Sequence, residues 1–75
     1  MEREGHLYLS GTIEKQAHGF FHVQLENDMT CLCTARRMQS RHISLMLGDK
    51  VVVEIPLLGM SPGETLKGRI VWRHR

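Results

Sequence analysis

Aromatic residues are scarce in this 75-residue chain: Tyr8, Phe20, Phe21 and Trp72 make up only 5% of it. So few cannot tile a surface with stacking platforms, which counts against an open single-strand-binding face built on aromatics. Cysteine appears twice, at Cys31 and Cys33. Two apart on one strand, these residues point the same way and are too far apart to be bridged comfortably. The five histidines (His6, His18, His22, His42, His74) are scattered without ligand spacing, so no metal or other cofactor is expected. Two small buried thiols in a reducing compartment are the expectation. Long apolar runs are missing as well: nothing approaches the roughly 20 residues of a transmembrane helix. Met1 to Gly5 carries Glu2 and Glu4 with no long apolar run behind it, unlike a signal or transit peptide, so a cytoplasmic protein without membrane contact is expected. There is no glycine-rich phosphate loop, no Gly-x-Ser-x-Gly elbow and no carboxylate pair at a strand end, which leaves hydrolysis and phosphoryl transfer without machinery. The chain does not read as an enzyme. His22 and His42 could serve a nuclease as acid and base, yet a lone histidine near arginines more often contacts phosphate or stacks on a base.

Acidic residues are absent from the last ten positions, Leu66 to Arg75, where Lys67, Arg69, Arg73 and Arg75 stand. That stretch alternates like a strand. Side chains on a strand alternate between faces, so Lys67, Arg69, Val71, Arg73 and Arg75 are expected on one face and Leu66, Gly68, Ile70, Trp72 and His74 on the other, with Trp72 in the core. A cationic terminal strand suits a phosphate backbone, where each neutralised phosphate releases condensed counterions. The plainer alternative is a solvated edge protected from aggregation by its charges. The formal net charge of +2 hides an asymmetry: residues 1–35 hold two basic and five acidic side chains, residues 36–75 eight basic and three acidic. Such a split creates a directed field able to orient the molecule on a polyanion.

Residues 1–75 make a single domain with 41% hydrophobic and 24% charged residues, ordinary for a folded chain. A first strand is expected where Leu7, Leu9, Gly11 and Ile13 alternate with polar neighbours, and Gly11 marks a bend where another backbone comes close. Lys15 to Gly19 reads as a loop. Phe20 to Leu25 is the second strand, with Phe21, Val23 and Leu25 inward and Phe20, His22 and Gln24 outward. An exposed Phe20 beside His22 is either a stacking platform or a cover over a loop. Glu26-Asn27-Asp28 has turn chemistry. Met29 to Ala35 follows as a third strand with Cys31, Cys33 and Ala35 inward. The alternation breaks at Arg36 to Arg41, which suits a short helical turn, and Ile43, Leu45, Met46 and Leu47 are candidate apolar anchors. Lys50 to Ile55 is the fourth strand, closed by Pro56. Leu57 to Thr65 is the longest loop and Leu66 begins the fifth strand. Five strands with a helical connection between the third and fourth outline an all-β Greek-key barrel of the oligonucleotide-binding kind. Strand count alone leaves an SH3-like barrel open, and the position of the helical break favours the former. Arg36, Arg37 and Arg41 in that break, with Lys67, Arg69 and Arg73, are expected to form one basic surface.

The segments Leu9-Ser10-Gly11-Thr12-Ile13-Glu14, Phe21-His22-Val23-Gln24-Leu25-Glu26-Asn27, Gly48-Asp49-Lys50-Val51 and Lys67-Gly68-Arg69-Ile70-Val71 together resemble bacterial translation initiation factor one, an S1-like barrel family, over nearly the whole chain. The resemblance implies a non-enzymatic monomer that binds the small ribosomal subunit at its aminoacyl decoding site. It would contact 16S-type rRNA and neighbouring ribosomal proteins there and act beside the other initiation factors. It also implies rRNA contacts at Arg37, Met38, Lys67, Arg69 and Arg73. The chain departs from the family where Ser-Gly-Lys-Met-Arg is common and Ala35-Arg36-Arg37-Met38-Gln39 stands here. A common tyrosine is replaced by His42, and Ser61-Pro62-Gly63-Glu64 lengthens the last loop. Two other readings use a similar barrel. A cold-shock-like RNA chaperone needs more exposed aromatics, and a protein-interaction adaptor leaves the basic strand unexplained.

Overall fold

A computed structural model describes residues 5–57 and 65–74, apart from the side chain of Arg37. Its elements are β1 (His6–Ala17), β2 (Phe20–Leu25), β3 (Thr30–Thr34), α1 (Arg36–Ser40), β4 (Lys50–Pro56) and β5 (Leu66–Arg73). The strands close into a barrel in the order β1-β2-β3-β5-β4. β1 runs antiparallel to both β2 and β4, while β3 and β5 are parallel. Alternation supplies the core: Ile13, Val23, Leu25, Cys31, Cys33, Val51, Val53, Ile55 and Ile70 are buried along the strands, and Ala35 and Met38 are buried with them from α1 and its approach. Full burial of each such Val or Ile is worth about 1.5–3 kcal/mol.

Every strand of the closed barrel has two neighbours, and the long β1 meets its two with different halves. β1 does this by pairing with β4 from His6 to Thr12 and with β2 from Gly11 to Ala17, so Gly11 lies opposite both Leu25 and Val51. A Cβ there would sit 2.5 Å from Val23 Cγ1 and 2.7 Å from the Gln24 carbonyl oxygen. Only glycine fits, which gives the expected bend its cause.

The structure departs from the sequence expectation at several points. Lys15 to Ala17 is not a loop. A β-bulge between Ile13 and Lys15 absorbs the break in alternation, β1 runs on to Ala17, and His18 (φ 53°) with Gly19 (φ 80°) forms the turn into β2. Positive φ at both turn residues matches the right-handed twist of the flanking strands. Ile43 and Leu45 pack against the core, but Met46 and Leu47 are exposed on a tight turn closed by Asp49, whose carboxylate accepts from the Met46 N–H. Phe20 is half-buried rather than exposed. Trp72, expected in the core, is 61% exposed. The cause is a register shift in the β4–β5 ladder: Val53 pairs with Ile70, but Val52 pairs with Trp72, so Val71 is an extra residue. A bulge of this kind reverses the facing of everything beyond it. Of the long loop from Leu57 to Thr65, residues 58–64 lie outside the described residues, as does Arg75. Cys31 and Cys33 are free and fully buried, as expected.

Candidate nucleic-acid interface

The candidate surface is organised by β5, which lies between β3 and β4 and carries α1 against it. Before the bulge, Ile70 is buried and Lys67 and Arg69 are exposed on the outer face. Beyond it Trp72 takes the outer face beside Val52, while Arg73 pairs with core-facing Val51. Arg73 therefore leaves the expected row and donates from Nη1 to the Ser44 carbonyl, tying the strand to the loop after α1.

α1 brings the second cluster to this strand. Its C-terminal end is closed by two backbone bonds, His42 N–H to the Gln39 carbonyl (3.0 Å) and Ile43 N–H to the Met38 carbonyl (3.0 Å), around His42 in the left-handed conformation (φ 58°). That is a Schellman cap with histidine where glycine is usual. Met38 is 2% exposed. It is the apolar anchor that docks the helix on the core, and it also lines a hollow with Arg41, Trp72 and Arg73. Anchored this way, α1 and the residues after it leave Arg36 and Arg41 exposed beside β5. Arg36, Arg69 and Thr34 share one hollow, and Arg41, Trp72 and Arg73 share the next, of about 110 Å³. Lys67 and Arg69 line a third with His6 and Glu54. Arg69 lines both the hollow with Arg36 and the one with Lys67, so the two basic segments meet there.

His22 joins it by register. It lies opposite Leu32, which lies opposite Lys67, so with strands about 4.8 Å apart the His22 and Lys67 positions are roughly 10 Å from each other on one outer face. Phe20 lies two residues before His22 on β2, at the turn from β1. His42 lines a different hollow with Gln16, Gln39 and Ile43, and Ile43 also lines the one that holds Arg41 and Trp72. Another hollow, of about 550 Å³, lies elsewhere and is lined by Glu26, Asp28, Lys50 and His74. Its mixed charge makes it a poor seat for a polyanion.

Sequence reasoning passes over one component. Glu54 sits between core residues Val53 and Ile55 yet points the opposite way, and it is 4% exposed because Tyr8 and Arg69 cover it. Arg69 donates from Nε (2.6 Å) and meets the same Oε1 from Nη2 (2.5 Å), while the Tyr8 hydroxyl donates to Oε2. The Tyr8 hydrogen bond, aided by the Arg69 hydrogen bond and charge and by the charge of His6, holds this carboxyl below its usual range despite burial. The available signal is a single acid in the run Val51-Val52-Val53-Glu54-Ile55.

A closed five-stranded barrel with a helical connection before its fourth strand is a barrel of the oligonucleotide-binding kind, here with a cationic last strand. The chain is 39% identical over the full length of both proteins to translation initiation factor IF-1 of Solibacter usitatus. It is 37% identical to that of Rickettsia felis over 99% of this chain and 100% of the other. It belongs to the translation initiation factor IF-1 family. The solution structure of the translation initiation factor of the same name from the Wolbachia endosymbiont of Brugia malayi superposes with a TM-score of 0.72, covering 96% of this chain and 82% of that one at 23% identity, and so supports the fold. No protein-family profile matches the chain.

Proposed function

We propose that this translation initiation factor binds the small ribosomal subunit at the aminoacyl decoding site through rRNA contacts, as a monomer working in the cytoplasm beside the other initiation factors and without enzymatic activity. The observation that carries the reading is the run of Lys67, Arg69, Arg36, Arg41 and Arg73 along adjoining hollows of β5 and α1. Cations so arranged follow a phosphate backbone, and Trp72 adds an indole face on which a base can stack. Arg37 belongs to the same helical segment and Arg75 follows the same strand. His22 and Phe20 extend the surface across β2, whereas His42 contributes at most at its margin.

Affinity for purified small subunits, measured beside affinity for an isolated single-stranded RNA at the same salt, tests the reading. Tight binding to the subunit, weakened by an antibiotic occupying the decoding site, is the expected result. Equal affinity for both ligands would instead favour a single-strand chaperone, and no binding to either would leave the adaptor.

A further inference from the structure

Four residues lie side by side across four strands. Tyr8 of β1 pairs with Glu54 of β4, Glu54 with Arg69 of β5, and Arg69 with Thr34 of β3. Cross-strand neighbours on one face are the units through which a sheet fixes side-chain positions. Here the middle member is a buried carboxylate with both oxygens engaged, one by the Tyr8 hydroxyl and one by the Arg69 guanidinium. A carboxylate held this way cannot swing, so it fixes the guanidinium plane it receives.

Arg69 is nonetheless half open, with 53% of its side chain exposed. Its Nε and Nη2 meet Glu54, which leaves the Nη1 side of the fork available. The hollow it shares with Thr34 and Arg36 is lined by two guanidinium groups and a hydroxyl, the chemistry that holds a phosphate oxygen. A mobile surface arginine loses side-chain entropy when it clamps a phosphate, and one already held loses less.

We propose that Tyr8 and Glu54 are positioning residues for RNA binding: they hold Arg69 so that its free edge, with Arg36 and Thr34, receives one backbone phosphate. This rests on the reading of Arg69 as an rRNA contact. It explains why an acid stands in the middle of a cationic surface, where a field argument alone would exclude it.

The test is a double-mutant cycle read as dissociation constants for purified small subunits, using Tyr8→Phe, Arg69→Gln and the double variant, with thermal melts confirming that each is folded. Tyr8→Phe removes one oxygen and no charge. It is expected to weaken binding about 3- to 10-fold, with the salt dependence unchanged, and to add nothing once Arg69 is glutamine. Arg69→Lys, which keeps the charge and loses the fork, is expected to weaken binding about as much as Arg69→Gln. If Tyr8→Phe weakens binding equally in both backgrounds, its role is structural and the proposal fails. It also fails if Arg69→Gln weakens binding while Tyr8→Phe does not. If Arg69→Gln itself binds as the natural protein does, the underlying reading of Arg69 as an RNA contact falls first.

Discussion

Trp72 shows how one inserted residue redirects a side chain. Strict alternation from Ile70 puts it in the core, and the bulge at Val71 puts it in solvent next to Arg41 and Arg73. The two placements differ sharply in what Trp72→Ala does. A buried tryptophan costs about 3–5 kcal/mol on truncation, whereas a side chain this exposed is expected to cost about 0.5 kcal/mol or less in a thermal melt. Its loss should instead appear in subunit binding, at about 1–3 kcal/mol if a base stacks there. Glu54 is the opposite case, a polar residue taken inward. Because its carboxyl titrates below the usual range when folded, its contribution to stability is present above the unfolded value of about 4.3 and lost as pH falls through the lower folded value. Melting curves taken from pH 6 down to pH 3 should therefore show a smaller acid-induced drop for Glu54→Gln than for the natural protein. An equal drop would mean that this carboxylate is not selectively stabilised in the fold.

The elements are legible to different depths. β2, β3, β4 and the position of α1 follow from alternation and its interruption, because their inward residues are apolar and their ends carry turn chemistry. β1 is cut short in a sequence reading because Lys15, Gln16 and Ala17 look like a loop until β2 is there to pair with them; pairing across a bulge leaves no periodic trace. The same limit hides Trp72, and the cross-strand partner of Arg69 is invisible because register is a property of two strands, not one. Met38 is legible only in part: the family resemblance implies a contact, and the fold adds that a helix of one short turn needs an apolar anchor against the barrel, which Met38 supplies. The cap of α1 gives a test at this scale. His42 holds a left-handed backbone that costs a β-carbon-bearing residue strain, so His42→Gly should raise stability by about 0.5–1 kcal/mol in denaturant titration. Since His42 opens on a different hollow from Arg36 and Arg69, subunit affinity should change little. A large loss of affinity would place His42 inside the interface after all.

At the scale of the molecule, the barrel divides its charge. The exposed cations of α1 and β5 share one side, while Glu26 and Asp28 line the hollow that also holds Lys50. The two halves of the sequence disclose this split, but they do not tell which cations are free to meet phosphate. Arg69 is partly spoken for by Glu54, and Lys15, though in the acidic half of the sequence, lies opposite His22. Lys67 is exposed on the outer face, with no ion pair among the described residues, and Lys50 lines the mixed-charge hollow with Glu26 and Asp28. Affinity for purified small ribosomal subunits as a function of salt, for the natural protein, Lys67→Gln and Lys50→Gln, is thus the most direct measurement. If about four to six cations meet phosphates, log K should fall with log salt at a slope on the order of −3 to −4. Lys67→Gln should flatten that slope by about 0.7 and weaken binding, and Lys50→Gln should leave both unchanged. A Lys67→Gln protein with the natural affinity and slope would contradict the account, leaving β5 a solvated edge.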